Sequence, residues 1–280
     1  MILSGKARIA GVMGWPVSHS LSPRLHGFWI EHHQLDATYI PMSVSPDKFA
    51  AALRALPALG FAGANVTVPH KEAALGTVDD ATAEARALGA VNTVVVQKNG
   101  TLLGSNTDGQ GFLANLRDFV PGWSVRGKRV AILGAGGAAK AIAWTLHSEG
   151  ADEVRIVNRT PERAKALAAS LGKRARAVDW ESCDDALEDA GLLVNATTLG
   201  MKGQPRLEIE LGPLPGDAIV ADIVYNPLET DLLLRARARG NPTVDGIGML
   251  LHQARAGFTA WFGVEPVVDK ALRDFVLAGL

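Results

Sequence analysis

Only one cysteine, Cys183, stands in the 280-residue chain, so no internal disulfide can form. A lone thiol without a histidine-rich neighbourhood is a poor start for a zinc site, the seven histidines lack ligand spacing, and no metal is expected. Excess charge is missing as well. The 28 basic residues against 29 acidic ones give a formal net charge of −1. That leaves nothing to follow a phosphate backbone and argues against nucleic acid as a partner. No apolar run approaches the length of a bilayer, and Met1 to Lys6 lack the apolar core of a signal peptide, so a cytoplasmic chain with no membrane partner is expected. Internal repeats and low-complexity tracts are absent.

What is present has ordinary globular proportions, 48% hydrophobic and 20% charged residues, at a length that suggests two domains. The first hundred residues alternate short apolar strands (Arg8 to Val12, Thr38 to Val44, Gly63 to Val68) with helices, one opened by Ser22-Pro23 and one from Pro46 to Leu56. Val91 to Val96 and Thr101 to Gly104 flank Gln97-Lys98-Asn99-Gly100, whose Asn-Gly pair signals a hairpin. After a helix from Asp108 to about Phe119, Lys128 to Leu133 reads as a buried parallel strand. It begins a second α/β series with strands near Glu153 to Val157, Leu192 to Asn195, Ala218 to Val224 and Thr243 to Val244. This predicts a doubly wound sheet. Beyond Asp245-Gly246 the pattern is helical, with Met249, Gln253 and Gly257 on one face.

The strand ending at Leu133 runs into Gly134-Ala135-Gly136-Gly137-Ala138-Ala139 and then a helix, the setting in which a glycine pattern binds a dinucleotide. Gly134 permits the turn, Gly136 lets backbone approach a pyrophosphate, and Ala139 keeps the helix close to the strand. An NAD site places an acid at the end of the second strand, yet this chain reads Asn158-Arg159-Thr160-Pro161-Glu162-Arg163. Thr160 can cap the helix, and Arg159 and Arg163 lie four residues apart, able to converge on one 2′-phosphate. NADP is the expected cofactor.

Candidates for chemistry in the first domain lie at element ends. Ser20 and Ser22 could hold a carboxylate at a helix start, although Ser22 before Pro23 also reads as an ordinary cap. Lys71, after Asn65-Val66-Thr67-Val68-Pro69-His70, falls in a first helical turn, where the helix dipole disfavours an ammonium and suits proton transfer, although by position alone it also reads as an ordinary solvated lysine. Asp108, in Asn106-Thr107-Asp108-Gly109, either caps the next helix or orients Lys71 and shares a substrate hydroxyl with it.

These blocks, together with Gly14-Trp15-Pro16-Val17-Ser18-His19, Gly89-Ala90-Val91-Asn92-Thr93, Asn195-Ala196-Thr197 and Gly246-Ile247-Gly248-Met249-Leu250, resemble the shikimate dehydrogenases over essentially the whole chain. The resemblance implies NADPH-dependent reduction of 3-dehydroshikimate to shikimate in the shikimate pathway, with Lys71 and Asp108 as the acid/base pair. It implies that Ser20 and Ser22 hold the substrate carboxylate with Tyr225 near that end. Asn65, Thr67, Asn92, Asp108 and Gln253 would meet its hydroxyls or the reacting carbonyl. On the cofactor side it adds Ala196, Thr197, Met201, Ile223, Gly246 and Met249 around the nicotinamide. Thr198 stands where many relatives have Ser. The implied architecture is an α/β substrate domain, residues 1–107 with 247–280, and an inserted Rossmann-like NADP domain, residues 108–246, with the active site in the cleft. Rival readings are a quinate/shikimate dehydrogenase using NAD, a non-catalytic regulator that binds NADP and a pathway metabolite, and another Rossmann enzyme of amino-acid-dehydrogenase type. Monomer and homodimer both fit the sequence.

Overall fold

The computed structural model describes residues 2–280; Met1, where the expected first domain starts, lies outside them. The chain divides into two compact units, Met1–Thr107 with Gln253–Leu280, and Asp108–His252. Each has its own six-stranded sheet, giving a two-domain α/β architecture. The division falls within the helix Ile247–Phe262, past its first turn rather than at its start. Among the described residues no helix is long and apolar enough to cross a membrane.

In the first unit the strands are β1 (Arg8–Gly14), β2 (Ala37–Ser43), β3 (Phe61–Val66), β4 (Asp80–Ala81), β5 (Thr93–Val96) and β6 (Leu102–Ser105), in the order β2-β1-β3-β5-β6-β4. β2, β1 and β3 are parallel, whereas β5 runs antiparallel to both β3 and β6. The sheet is therefore mixed. The predicted hairpin joins β5 to β6: Gly100 takes φ 83°, a conformation that glycine adopts without a Cβ penalty, and Gln97 N–H donates to the Thr101 carbonyl at 2.8 Å. One face of the sheet buries Met13, Phe49, Leu53, Val66 and Leu102.

Closure of this unit depends on the last stretch of chain. The indole Nε1 of buried Trp261 donates to the Val94 carbonyl at 3.0 Å. Gly63 on β3 makes room for that ring: a Cβ there would stand 2.2 Å from Nε1 and 2.1 Å from the Val94 carbonyl oxygen. His26, on the helix Ser22–His32, is fully buried and stacks on Tyr39 with ring centroids 4.0 Å apart. Burial pushes its pKa down to about 3 from 6.5, so it is neutral in the folded protein at ordinary pH. Between pH 6.5 and about 3 the unfolded chain takes up a proton at this position that the folded chain refuses, and stability falls with pH across that window. His26→Phe should flatten the acid limb of the stability curve, measured by urea unfolding, by up to about 1.4 kcal/mol per pH unit. An unchanged slope would remove His26 as the cause.

The second unit holds β7 (Arg129–Leu133), β8 (Glu153–Val157), β9 (Ala175–Val178), β10 (Ala190–Asn195), β11 (Ile219–Asp222) and β12 (Thr243–Val244). Their order is β12-β11-β10-β7-β8-β9, and every pairing is parallel. Apolar side chains cover both faces, Ile132, Ile142 and Val154 on one and Leu133, Leu193 and Val220 on the other, as a wholly parallel sheet requires. Strand order reverses at β7: β8 and β9 follow on one side, β10 to β12 on the other. The C-terminal ends of β7 and β10 thus flank a topological switch point, where open α/β sheets bind ligands. Cys183 is buried, and burial with Asp184 nearby pushes its thiol up to about 11, the condition of an inert structural cysteine.

Candidate active site

β7 ends at Leu133 and the chain turns through Gly134 at φ 109°, locked by a 2.7 Å hydrogen bond from its N–H to the Val157 carbonyl. A Cβ at Gly134 would meet the Ala196 carbonyl oxygen at 2.9 Å, so glycine is needed for close approach as well as for φ. The helix Gly137–Ser148 follows, with extended Gly136 at its N-cap position. Gly136 and Gly137 are exposed, and a Cβ on either would meet nothing, so this helix start presents bare backbone to the space beyond. Ala139 is fully buried against the sheet. Bare backbone, the positive end of a helix and a switch point together suit a pyrophosphate, and the residues present fit a dinucleotide.

At the end of β8, Asn158 Nδ2 donates to the Thr160 carbonyl at 2.9 Å and shapes the turn into the helix Pro161–Leu171. Thr160 occupies the N-cap position as the sequence suggests, but its side chain makes no capping bond; backbone contributes instead, Arg163 N–H donating to the Thr160 carbonyl at 3.1 Å. Arg159 and Arg163 are exposed, one on the turn and one in the first helical turn. No carboxylate residue occupies positions 158 to 161.

The turn after β10 is tied to its strand by Asn195, whose Oδ1 accepts from Thr197 N–H at 3.1 Å and from Thr197 Oγ1 at 2.7 Å. Ala196 N–H donates to the Leu133 carbonyl, so this turn abuts the glycine turn. After β11, Ile223 N–H donates to the Asn195 carbonyl, and a Cβ on Gly246 would meet the Ile223 carbonyl oxygen at 2.3 Å. Ala196, Thr197, Ile223, Gly246 and buried Met249 therefore border the C-terminal edge of the same sheet. Met201 lies just past the first turn, half-buried, and Thr198 is exposed within it.

In the first unit a buried polar chain runs across the C-terminal end of β3. Asn65 Oδ1 accepts from the Tyr39 hydroxyl at 2.7 Å, while its Nδ2 donates to the Asn92 carbonyl at 3.2 Å and to Thr93 Oγ1 at 3.1 Å. Asn92 Oδ1 accepts from Thr107 N–H at 3.0 Å and from Thr93 Oγ1 at 2.9 Å, and Thr107 Oγ1 lies 3.4 Å from Gln253 Oε1. Burial raises the Tyr39 phenol well above its ordinary range, with a hydrogen bond to Ser22 acting the other way. Lys71 is the first residue of the helix Lys71–Thr77, half-buried, with its carbonyl accepting from Val91 N–H at 2.9 Å. His70 before it is anchored twice, by Nε2 at 2.7 Å from the Val44 carbonyl oxygen and by stacking on Phe49.

Ser22 is not the cap that its place before Pro23 suggests. Leu21 holds the N-cap position without a side-chain bond, and Ser22 itself is buried in the first turn, its N–H donating to Ser20 Oγ at 3.3 Å.

Residues 12–94 match the model of the shikimate dehydrogenase substrate binding domain, and residues 118–201 that of shikimate / quinate 5-dehydrogenase. The chain is 56% identical over 276 residues, 99% of its length and 100% of the relative's, to the shikimate dehydrogenase (NADP(+)) of Paramagnetospirillum magneticum. The chain belongs to the shikimate dehydrogenase family. Among solved structures, shikimate 5-dehydrogenase from Thermus thermophilus with NADP(H) and shikimate is similar at TM-score 0.86 and 36% identity, covering 98% of this chain and 100% of that one. Quinate dehydrogenase from Corynebacterium glutamicum with NAD is similar at TM-score 0.90 and 32% identity, covering 97% and 99%.

Within the shikimate dehydrogenase frame, Ser20, Ser22, Asn65, Thr67, Lys71, Asn92 and Gln253 fall in the first unit, while Asp108 and Tyr225 fall in the second. Asp108 begins the helix Asp108–Phe119 and is buried; Tyr225 lies three residues past the end of β11, and burial raises its phenol pKa. Reading by motif overlooks the supporting polar residues Tyr39, Asp222 and Thr230, and gives no role to Thr93 and Thr107, which lie within the quoted blocks. Two of them had a visible signal: Asp222 is an acid inside an apolar strand run, and Thr93 directly follows Asn92.

Proposed function

We propose that this chain catalyses the reversible NADPH-dependent reduction of 3-dehydroshikimate to shikimate, the step that feeds the shikimate pathway toward chorismate and the aromatic amino acids. The observation that carries the reading is 56% identity over 99% of the chain to the shikimate dehydrogenase (NADP(+)) of Paramagnetospirillum magneticum, and the arginines beside β8 agree with it. NADPH, when bound along the Gly134–Ala138 turn with its 2′-phosphate at Asn158, Arg159, Thr160 and Arg163, supplies the hydride that reduces the C3 carbonyl. Lys71 gives a proton to the C3 oxygen and in the reverse direction takes it from the hydroxyl, with Asp108 holding the adjacent hydroxyl and orienting the lysine. One C–H and one O–H bond form while the C=O double bond becomes single, so hydride plus proton balance the reduction.

Ser20 and Ser22 bind the substrate carboxylate, and Tyr225 lies toward that end. Asn65, Thr67, Asn92 and Gln253 meet the ring hydroxyls. Because Asn65 and Asn92 are already bonded to Tyr39, Thr93 and Thr107, their amides are held in one orientation before substrate arrives, which limits the ordering cost of binding. The test is a four-way assay, shikimate and quinate each against NADP and NAD, followed by nicotinamide absorbance. Shikimate with NADP should give the highest kcat/KM by at least about tenfold, the preference that one missing charge-assisted contact produces. Quinate with NAD as the best pair would overturn the assignment, and no turnover in any arm would make the chain a binding protein.

A further inference from the structure

Asp222 is 1% exposed at the end of β11, and its carboxylate accepts from three donors. Oδ1 accepts from Asn195 Nδ2 and from Val224 N–H, both at 3.0 Å, and Oδ2 accepts from Thr230 Oγ1 at 2.7 Å. The bonds continue outward. Asn195 Nδ2 also donates to the Leu199 carbonyl, Asn195 Oδ1 receives both donors of Thr197, and Thr197 Oγ1 accepts from Leu199 N–H at 3.0 Å. On the other side Thr230 Oγ1 accepts from Leu233 N–H and caps the helix Asp231–Ala238.

As a carboxylate Asp222 only accepts, so the Thr230 hydroxyl donates to it and keeps its lone pair for Leu233, and Asn195 turns its amino group inward and its carbonyl oxygen toward Thr197. The acid thus acts together with the Thr197 N–H and the Leu199 carbonyl to hold the Asn195 amide in one orientation, and it anchors the start of the 223–225 segment through Val224 N–H. Both segments border the switch point, the first 2.9 Å from where a Cβ on Gly134 would stand. None of the three donors is cationic, and burial raises the pKa of Asp222, so the carboxylate is held at a cost in stability.

We propose that Asp222 is a positioning residue for hydride transfer: through Asn195, Val224 and Thr230 it holds the two turns against which the nicotinamide rests, without touching cofactor or substrate. This rests on the assignment of the NADP site given above. The experiment compares Asp222→Ala, Asp222→Asn and Thr230→Val with wild type in steady-state kinetics, thermal unfolding, and equilibrium binding of 2′,5′-ADP, a probe of the glycine-turn and arginine half of the site alone. Asp222→Ala should lose about 100-fold in kcat/KM for NADP, the scale of an ångström misplacement in a reacting group, while 2′,5′-ADP binds within about twofold of wild type. Asp222→Asn keeps an acceptor for Asn195 and Val224 and should recover activity to within about fivefold while unfolding no lower near neutral pH, because it carries no buried charge. Thr230→Val, which frees one carboxylate oxygen and also removes the cap on Leu233 N–H, should fall between them in kcat/KM, with thermal unfolding reading the loss of the cap separately, and serves in place of Asp222→Ala should that variant not fold. A folded Asp222→Ala with kcat/KM within about threefold of wild type, or a parallel loss of 2′,5′-ADP binding, would reduce Asp222 to a structural residue. A wild-type enzyme that binds 2′,5′-ADP yet oxidises no shikimate would instead overturn the assigned reaction, and the positioning role with it.

Discussion

Lys71→Ala is expected to lower kcat by about 10²- to 10⁴-fold while the KM for shikimate changes only a few-fold, because a group that transfers a proton acts chiefly in the transition state. The geometry favours so clean a separation. The backbone of Lys71 is clamped by the Val91 N–H, and the residue before it is held by Val44 and Phe49. Truncating the side chain should therefore leave the helix Lys71–Thr77 and its neighbours in place. Steady-state kinetics in both directions, with shikimate affinity measured separately by equilibrium titration, would check this. Retention of more than about a tenth of wild-type kcat would move proton transfer to another group, since the lower bound for general acid catalysis would not be met.

The second large effect concerns the choice between cofactors. Arg159→Ala should raise the KM for NADP by about 10- to 100-fold, the value of a charge-assisted bond to phosphate, and should leave NAD kinetics nearly unchanged because NAD lacks the 2′-phosphate. Adding Arg163→Ala should contribute less than its single effect if both guanidiniums grip one phosphate, a non-additivity that a double-mutant cycle reads directly. The two side chains are exposed, so rising salt should weaken NADP more than NAD in the wild type and act on both equally in the double variant. If NAD and NADP lose affinity together in Arg159→Ala, the arginine supports the loop and does not select the cofactor.

Much of this is legible in the sequence. The strand into Gly134, the break at Arg159 and the Asn99-Gly100 hairpin are local signals, each set by a backbone conformation or a charge that few residue types supply. Longer-range features are not. β9 covers Ala175–Val178 with a mixed burial pattern on a sheet edge, so neither alternation nor a continuous apolar run marks it. β4 has two residues and exists only because β6 offers it a partner. The mixed character of the first sheet follows from β5 pairing with β3, which no local pattern encodes. Ser22 reads as a cap because capping and burial against Tyr39 demand the same small polar residue, and tertiary context decides for burial. The Asp222 network escapes for a related reason: its members lie at positions 195, 197, 222, 224 and 230, and only the adjacency of β10 and β11 brings them together.

The Trp261 indole, set against β3 and β5 in the room that Gly63 leaves, bears on how the chain matures during synthesis. The bond it makes to Val94 spans 167 residues, and everything needed for the Asp108–His252 unit emerges from the ribosome before it can form. The unit that begins first is thus completed last. Until then the strand around Gly63 has an unfilled flank, and the nascent amino-terminal half must be kept from other apolar surfaces for as long as the dinucleotide unit takes to be made.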